Sequence, residues 1–109
     1  MKEANEGVVK KYKPIVVWSF KASNSFRKIY EFICQDSYSN AKKVRTAIIK
    51  IIDSLPDSPE KYPPDKFKKV NSGNYRAFEK YSFRIAYKYS DKEIVILRMR
   101  HVKQEPMEY

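Results

Sequence analysis

The spacing of apolar positions changes along the chain, and each change marks an element. Pro14 to Phe20 (PIVVWSF) is a continuous β-branched and aromatic run, which predicts a strand buried on both faces. Pro14 suits its start, where a missing N–H matters least. Beyond it Phe26, Ile29, Tyr30 and Ile33 recur at helical spacing, with Ser23 or Asn24 available as the cap. Gln35 to Asn40 (QDSYSN) interrupts that stripe. A second helix is predicted from near Ser39 or Asn40, with Ala41, Val44, Ile48, Ile51, Ile52 and Leu55 inward. Lys42, Lys43, Arg45 and Lys50 lie off that stripe, and Pro56 ends the helix. A short break between two such helices predicts an antiparallel hairpin.

Four of the six prolines fall in Pro56 to Lys66, which reads as a stiff, extended connection. Strand-like segments follow at Asn74 to Tyr81, Phe83 to Tyr89 and Glu93 to Arg100. Ser90, Asp91 and Lys92 form a hairpin turn between the last two; the break near Ser82 is either a bulge or a tight turn. The order β-α-α-β-β-β predicts an α+β fold, a helical hairpin packed on one face of a small, mostly antiparallel sheet. The opposite face is expected to stand open to solvent. Residues 1–13 are polar and read as a flexible or peripheral arm, leaving 14–109 as the domain.

Composition adds charge to this picture. Twenty-three Lys and Arg against thirteen Asp and Glu give a formal +10, which favours polyanionic partners. Eleven of those cations, and only Glu79, Asp91 and Glu93 in opposition, lie between Lys66 and Lys103. The single cysteine, Cys34, cannot form an internal disulfide, and without a Cys/His cluster no zinc site or other cofactor is expected. The N-terminal stretch lacks the apolar segment of a signal peptide, and no run approaches the ~18 apolar residues of a membrane span. A cytoplasmic protein is expected.

Alternation within the strands locates the charge. Phe83, Ile85, Tyr87 and Tyr89 share one face and look like core; Arg84, Ala86 and Lys88 share the other. In the last strand Val95, Leu97 and Met99 form one set, while Ile94, Ile96, Arg98 and Arg100 form another that begins apolar and ends basic. Pattern alone does not say which of these faces the helices. With aromatics nearby, the sheet is a candidate single-stranded RNA surface carried by Arg76, Lys80, Lys88, Arg98, Arg100, Lys66, Lys68 and Lys69. The same surface suits an acidic segment of a protein partner equally well.

Candidate chemistry is sparse. His101 is the only histidine, although a lone histidine at a strand end is more often structural than catalytic. RNA cleavage by an attacking 2′-hydroxyl needs positive charge on the developing phosphorane and a route for protons. Arg84, Arg98, Arg100 and Lys103 can supply the charge, and Tyr109 or His101 the proton transfer. Against this, Arg84 can be a plain surface cation and Tyr109 a frayed terminus.

The stretch VVWSFKASNSFRKIYEFICQDSYSNA resembles the N-terminal half of the RelE/ParE superfamily of bacterial toxins. YRAFEKYSFRIAYKY is similar to that family's Tyr-Arg and Tyr/Phe-Arg-Ile/Leu-x-Tyr strand pair, and ILRMRHVKQEP to its closing strand with His-x-x-Arg/Lys-x-x-Pro. The resemblance covers residues 14–109. It implies the toxin of a type II toxin–antitoxin (plasmid stabilisation) system, neutralised by a cognate antitoxin with an acidic or amphipathic segment. RelE-like members cut mRNA at the ribosome (mRNA interferases); ParE-like members poison DNA gyrase without nuclease chemistry. On the RelE-like pattern Arg84 matches a catalytic arginine, Arg76 a strand lysine, Lys103 a transition-state arginine and Tyr109 a catalytic tyrosine. Phe78 stands where a second lysine is usual, and Lys103 lacks the bidentate fork of arginine. Trp18-Ser19, and His101 followed by Lys103 and Pro106, lean toward ParE-like members. Arg84 and Tyr109 tilt the expectation toward ribosome-dependent mRNA cleavage, with the gyrase poison and a nontoxic binding module as alternatives.

Overall fold

A computed structural model describes residues 12–104 and 108–109; the arm expected over 1–13 falls outside these apart from Tyr12 and Lys13. The elements are β1 (Ile15–Trp18), α1 (Phe20–Asp36), α2 (Tyr38–Ser54), a 3₁₀ turn (Leu55–Asp57), β2 (Tyr75–Lys80), β3 (Phe83–Tyr89) and β4 (Glu93–His101). The sheet has the order β1-β4-β3-β2, with β1 parallel to β4 and the other pairs antiparallel. This is the α+β architecture expected from the pattern. The core is a single cluster in which Ala22, Val44, Ile48 and Ile52 of the helices meet Phe78, Ile85, Tyr87, Ile94, Ile96 and Met99 of the sheet.

Both helices start earlier than the expected caps. The N-cap of α1 is Ser19, whose hydroxyl oxygen accepts the Ala22 N–H at 3.0 Å and whose hydroxyl donates to the Leu97 carbonyl at 2.9 Å. Ser23 and Asn24 lie inside the helix. Ser19 wins because β1 ends at Trp18 and the Ser19 N–H still bonds Ile96 O at 2.9 Å, so the chain turns at once. Ser37 closes α1 through its N–H to Ile33 O and caps α2 by accepting the Asn40 N–H, so one residue joins the helices. Strand β1 is not buried on both faces. Val16 and Trp18 pack on the core, with Trp18 stacked on Phe26 at 5.3 Å, while Ile15 and Val17 are exposed. A continuous apolar run does not distinguish an edge strand from a central one.

The proline-rich connection runs along the outer edge of β2. Ala77 N–H bonds Pro63 O at 3.2 Å, Asp65 N–H bonds Tyr75 O at 2.8 Å, and the Tyr87 hydroxyl donates to Pro59 O. Those bonds occupy an edge that would otherwise offer free N–H and C=O groups to another chain. Burial pushes the Tyr87 hydroxyl up to about 12, so it stays a donor.

Two irregularities set the side-chain directions. Ala86 pairs with Arg98 and Tyr87 with Ile96, so Leu97 is an extra residue, a β-bulge in β4. Alternation reverses across it: Ile94 and Ile96 face the core before the bulge and Met99 faces the core after it. The set Ile94, Ile96, Arg98, Arg100 read from the sequence is therefore split, and both arginines lie with Arg84 on the face away from the helices. The break near Ser82 is a tight turn, with Lys80 opposite Phe83 and positive φ at both Tyr81 (50°) and Ser82 (67°). Such turns favour Asn-Gly; Tyr and Ser there cost on the order of 1 kcal/mol each.

Candidate functional site

Strand pairing places Arg84 opposite Arg100 and Ala86 opposite Arg98, so three arginines share one patch of sheet. That patch is not open to solvent as expected. Ala77 and Ala86, on the same face, are 3% and 2% exposed. The cover is the segment after the prolines together with the last residue of the sequence. Tyr109 N–H bonds Phe67 O at 2.9 Å and Lys69 N–H bonds Tyr109 O at 2.6 Å, a short backbone pairing. Phe67 packs against two guanidinium groups, its ring centroid 4.8 Å from Arg84 and 5.0 Å from Arg100. The Tyr109 ring lies 4.0 Å from the Arg98 guanidinium and 4.9 Å from Lys68 Nζ, with Tyr75 edge-on at 6.2 Å.

Asp65 organises the cluster. It is the buried charged residue among those described, 2% exposed, and its carboxylate has three donors. Arg84 Nη2 bonds Oδ1 at 2.8 Å, the Phe67 N–H bonds the same oxygen at 3.1 Å, and the Tyr109 hydroxyl bonds Oδ2 at 2.6 Å. Arg84 Nη1 meanwhile bonds Glu79 at 2.9 Å. Both fork ends of Arg84 are thus engaged by carboxylates, while Arg84 Nε and Arg100 Nε are buried with no hydrogen-bond partner among the described residues. The flanking Phe67 ring offsets part of that cost through cation–π attraction.

Burial alone would raise the Asp65 carboxyl, but the bonds from Arg84, Tyr109 and the Phe67 N–H outweigh it and hold the group below the usual carboxylate range. Burial, and then the adjacent Asp65 carboxylate, push the Tyr109 hydroxyl well above the usual phenol range. Tyr109 is accordingly a fixed proton donor to Asp65 at neutral pH. A lowered folded-state value means that Asp65 stabilises the fold above its unfolded pKa of ~3.9 and loses this as pH falls through the folded value. Urea midpoints should therefore drop below about pH 3.9 in the native protein, and Asp65→Asn should remove that component of the slope.

The other candidates from the sequence disperse. His101 follows Met99 on the helix-side face, its ring edge-on to Phe83 at 5.4 Å and its Nδ1 accepting the Lys103 N–H at 3.0 Å. It lines a groove of about 550 Å³ with Ile29 and Phe32 of α1, on the other side of the sheet from Tyr109. Lys103 sits exposed in the turn beyond β4. Arg76 also faces the helix side and spends its donors on carbonyls: Gly73 at 2.7 Å, Tyr62 at 2.9 Å and Glu60 at 3.2 Å. Lys80 lies on that side at the strand end, with Nζ 4.9 Å from the Tyr81 ring. Lys88 and Lys68 approach Tyr75 at 5.3 and 4.7 Å on the arginine face, Lys66 lies against Phe67, and Lys69 is exposed. Arg100 Nη1 donates to Gln104 O at 3.0 Å. Asp65, Phe67 and Glu79 are the members that sequence reasoning missed. The one available signal was that an arginine placed on a covered face needs a carboxylate.

Among the described residues, no group of His, Cys, Asp and Glu could hold a metal ion, and no helix is long and apolar enough to cross a membrane.

Comparison with known proteins places this geometry. A chain of the chromosomal ParDE TA system from P. aeruginosa superimposes with a TM-score of 0.63 at 20% identity, covering 82% of this chain and 96% of that one. The YoeB dimer structure from Staphylococcus aureus gives 0.56 at 19% identity, covering 83% and 98%. At these identities the likeness is one of fold. No curated protein sequence matches. Residues 16–106 match the family described as the ParE toxin of the type II toxin-antitoxin system parDE. On a match spanning most of its length, the chain belongs to the ParE toxin family of type II toxin–antitoxin systems.

Proposed function

We propose that this toxin acts by binding its target, in the manner of ParE-like DNA gyrase poisons, and does not cut RNA. The observation that supports this reading is the closure of Arg84 and Tyr109 onto Asp65. A phosphorane-stabilising arginine must turn its charge toward the phosphate, yet the Arg84 fork faces the carboxylates of Asp65 and Glu79, which neutralise it. A general base must be able to lose its proton, and Tyr109 is held protonated. His101, the other candidate for proton transfer, lies on the opposite side of the sheet. Family membership implies a cognate antitoxin as partner.

One observation favours mRNA cleavage as a second reading: Arg84 and Tyr109 do converge, on the two oxygens of a single carboxylate. The two readings separate cleanly. With purified gyrase and supercoiled plasmid, the toxin should trap cleaved DNA, and Tyr109→Phe should trap it equally. Primer extension on transcripts after induction should give intact mRNA. Codon-positioned cuts that vanish in Tyr109→Phe would establish the nuclease instead. Harmless overexpression without antitoxin would favour a nontoxic binding module.

A further inference from the structure

A second basic and aromatic site lies away from the arginine cluster, where the β2–β3 turn meets the first half of α2. Tyr81 stands at the tip of that turn in a left-handed conformation (φ 50°) and is 43% exposed. Lys80 Nζ lies 4.9 Å and Lys43 Nζ 5.8 Å from its ring centroid. A groove of about 410 Å³ opens beside the ring, lined by Ser39, Lys42, Lys43, Thr46, Ala47 and Tyr81. No carboxylate is among the lining residues. The contrast with the sheet is direct: there Arg84 is neutralised by Asp65 and Glu79 and the arginines are roofed by Phe67 and Tyr109, whereas here Lys42 and Lys43 are exposed.

We infer that this groove binds single-stranded nucleic acid, with one base stacked on Tyr81 and the adjoining phosphates on Lys42, Lys43 and Lys80. An aromatic platform flanked by cations is the arrangement that recognises a single strand without reading its sequence, because every base has a π-face and every linkage a negative charge. Ser39 and Thr46 add hydroxyls that can bond phosphate or sugar oxygens. The turn explains why the ring is presented here. Glycine or asparagine would satisfy positive φ at position 81 more cheaply, but neither offers a stacking face. The weak cation–π contacts of the free protein are exchanged on binding for base stacking and two or three phosphate contacts. This site is independent of whether the toxin's target is gyrase or mRNA.

The test is fluorescence anisotropy of the full chain with fluorescein-labelled oligo-dT and oligo-U strands of about ten nucleotides. Tyr81→Ala should weaken binding about tenfold and Tyr81→Phe should retain it. Tyr81→Gly guards against a folding artefact: it relieves the turn, so its melting temperature should equal or exceed that of the native chain while affinity still falls. Lys42→Gln and Lys43→Gln should each lower the salt slope by ~0.7, the single-strand value per phosphate. Lys50→Gln removes the same charge two helical turns along α2 and should leave affinity close to native. Equal loss on both strands places recognition in base and phosphate; loss on oligo-U alone places it in RNA, and on oligo-dT alone in DNA. Native affinity in both Tyr81→Ala and Tyr81→Gly would overturn the proposal. So would a poly-glutamate peptide that binds as tightly as the strands and is insensitive to Tyr81→Ala, since the groove would then be a site for acidic protein.

Discussion

Asp65→Ala is expected to destabilise the protein by about 3–5 kcal/mol, measured by urea unfolding at neutral pH. The Asp65 side chain is fully buried and that of Arg84 is 12% exposed, so removing the carboxylate leaves a guanidinium in a poorly solvated position. Three donors lose their acceptor together: Arg84 Nη2, the Phe67 N–H and the Tyr109 hydroxyl. Against a total of roughly 5–15 kcal/mol for a domain of this kind, that loss is a large fraction. Glu79→Ala tests the same arginine from its exposed side and should cost under about 1 kcal/mol, because water replaces that partner. The double variant Asp65→Leu, Arg84→Met should recover much of the loss, since it removes both charges and keeps the volume. A loss below about 1 kcal/mol for Asp65→Ala would mean that the cover over the arginines is held by its backbone pairing and ring contacts alone.

Deleting Ala86 should be at least as damaging, whereas deleting Leu97, the bulge residue of β4, should be far milder. Leu97 has no partner across the β3–β4 ladder, so without it Arg98 follows Ile96 directly, still falls opposite Ala86, and every later side chain keeps its face. Strand β3 has no such spare residue, and without Ala86 its inward residues Ile85 and Tyr87 become neighbours that cannot both face the core. Either Arg84 then turns toward the helices, or Lys88 does. Burying either charge unpaired costs several kcal/mol. The Ala86 deletion should therefore abolish the cooperative melt seen by circular dichroism, and the Leu97 deletion should retain it. An Ala86 deletion that retained native stability would show that β3 can re-register, which strict alternation forbids wherever one face is buried.

These two predictions concern features of different legibility. The helices were visible because α2 carries Ala41, Val44, Ile48 and Ile52 at helical spacing, and all four are buried. Periodicity of this kind is local, so no knowledge of the partner surface is needed. The expected starts, at Ser23 or Asn24 and near Ser39 or Asn40, are displaced to caps at Ser19 and Ser37, the first of them for a tertiary reason. Ser19 is tied to β4 at Ile96 and Leu97, which lie some 80 residues along the chain. The strand alternation of β3 held, with Ile85 and Tyr87 inward and Lys88 outward, because β2 and β3 pair without interruption. In β4 it failed at one residue. Nothing in EIVILRMRH marks Leu97 as the extra position, since a bulge is a property of the ladder between two strands.

The candidate site divides in the same way. Arg84 and Tyr109 were identified as members, and they do meet, but the residue that joins them was not. Asp65 sits in a proline-rich connection that carries no periodicity, so its burial follows only from where that connection returns along β2. By itself the sequence determined the class of fold, the inward stripes of the helices, the concentration of charge in the second half and the family likeness. Each of these depends on residue type and short spacing. Only the tertiary structure decided which way Arg98 and Arg100 point, that Phe67 and Tyr109 cover them, and that His101 stands on the other side of the sheet. Those outcomes depend on pairing between distant segments, where a single unpaired residue reverses every side chain that follows it.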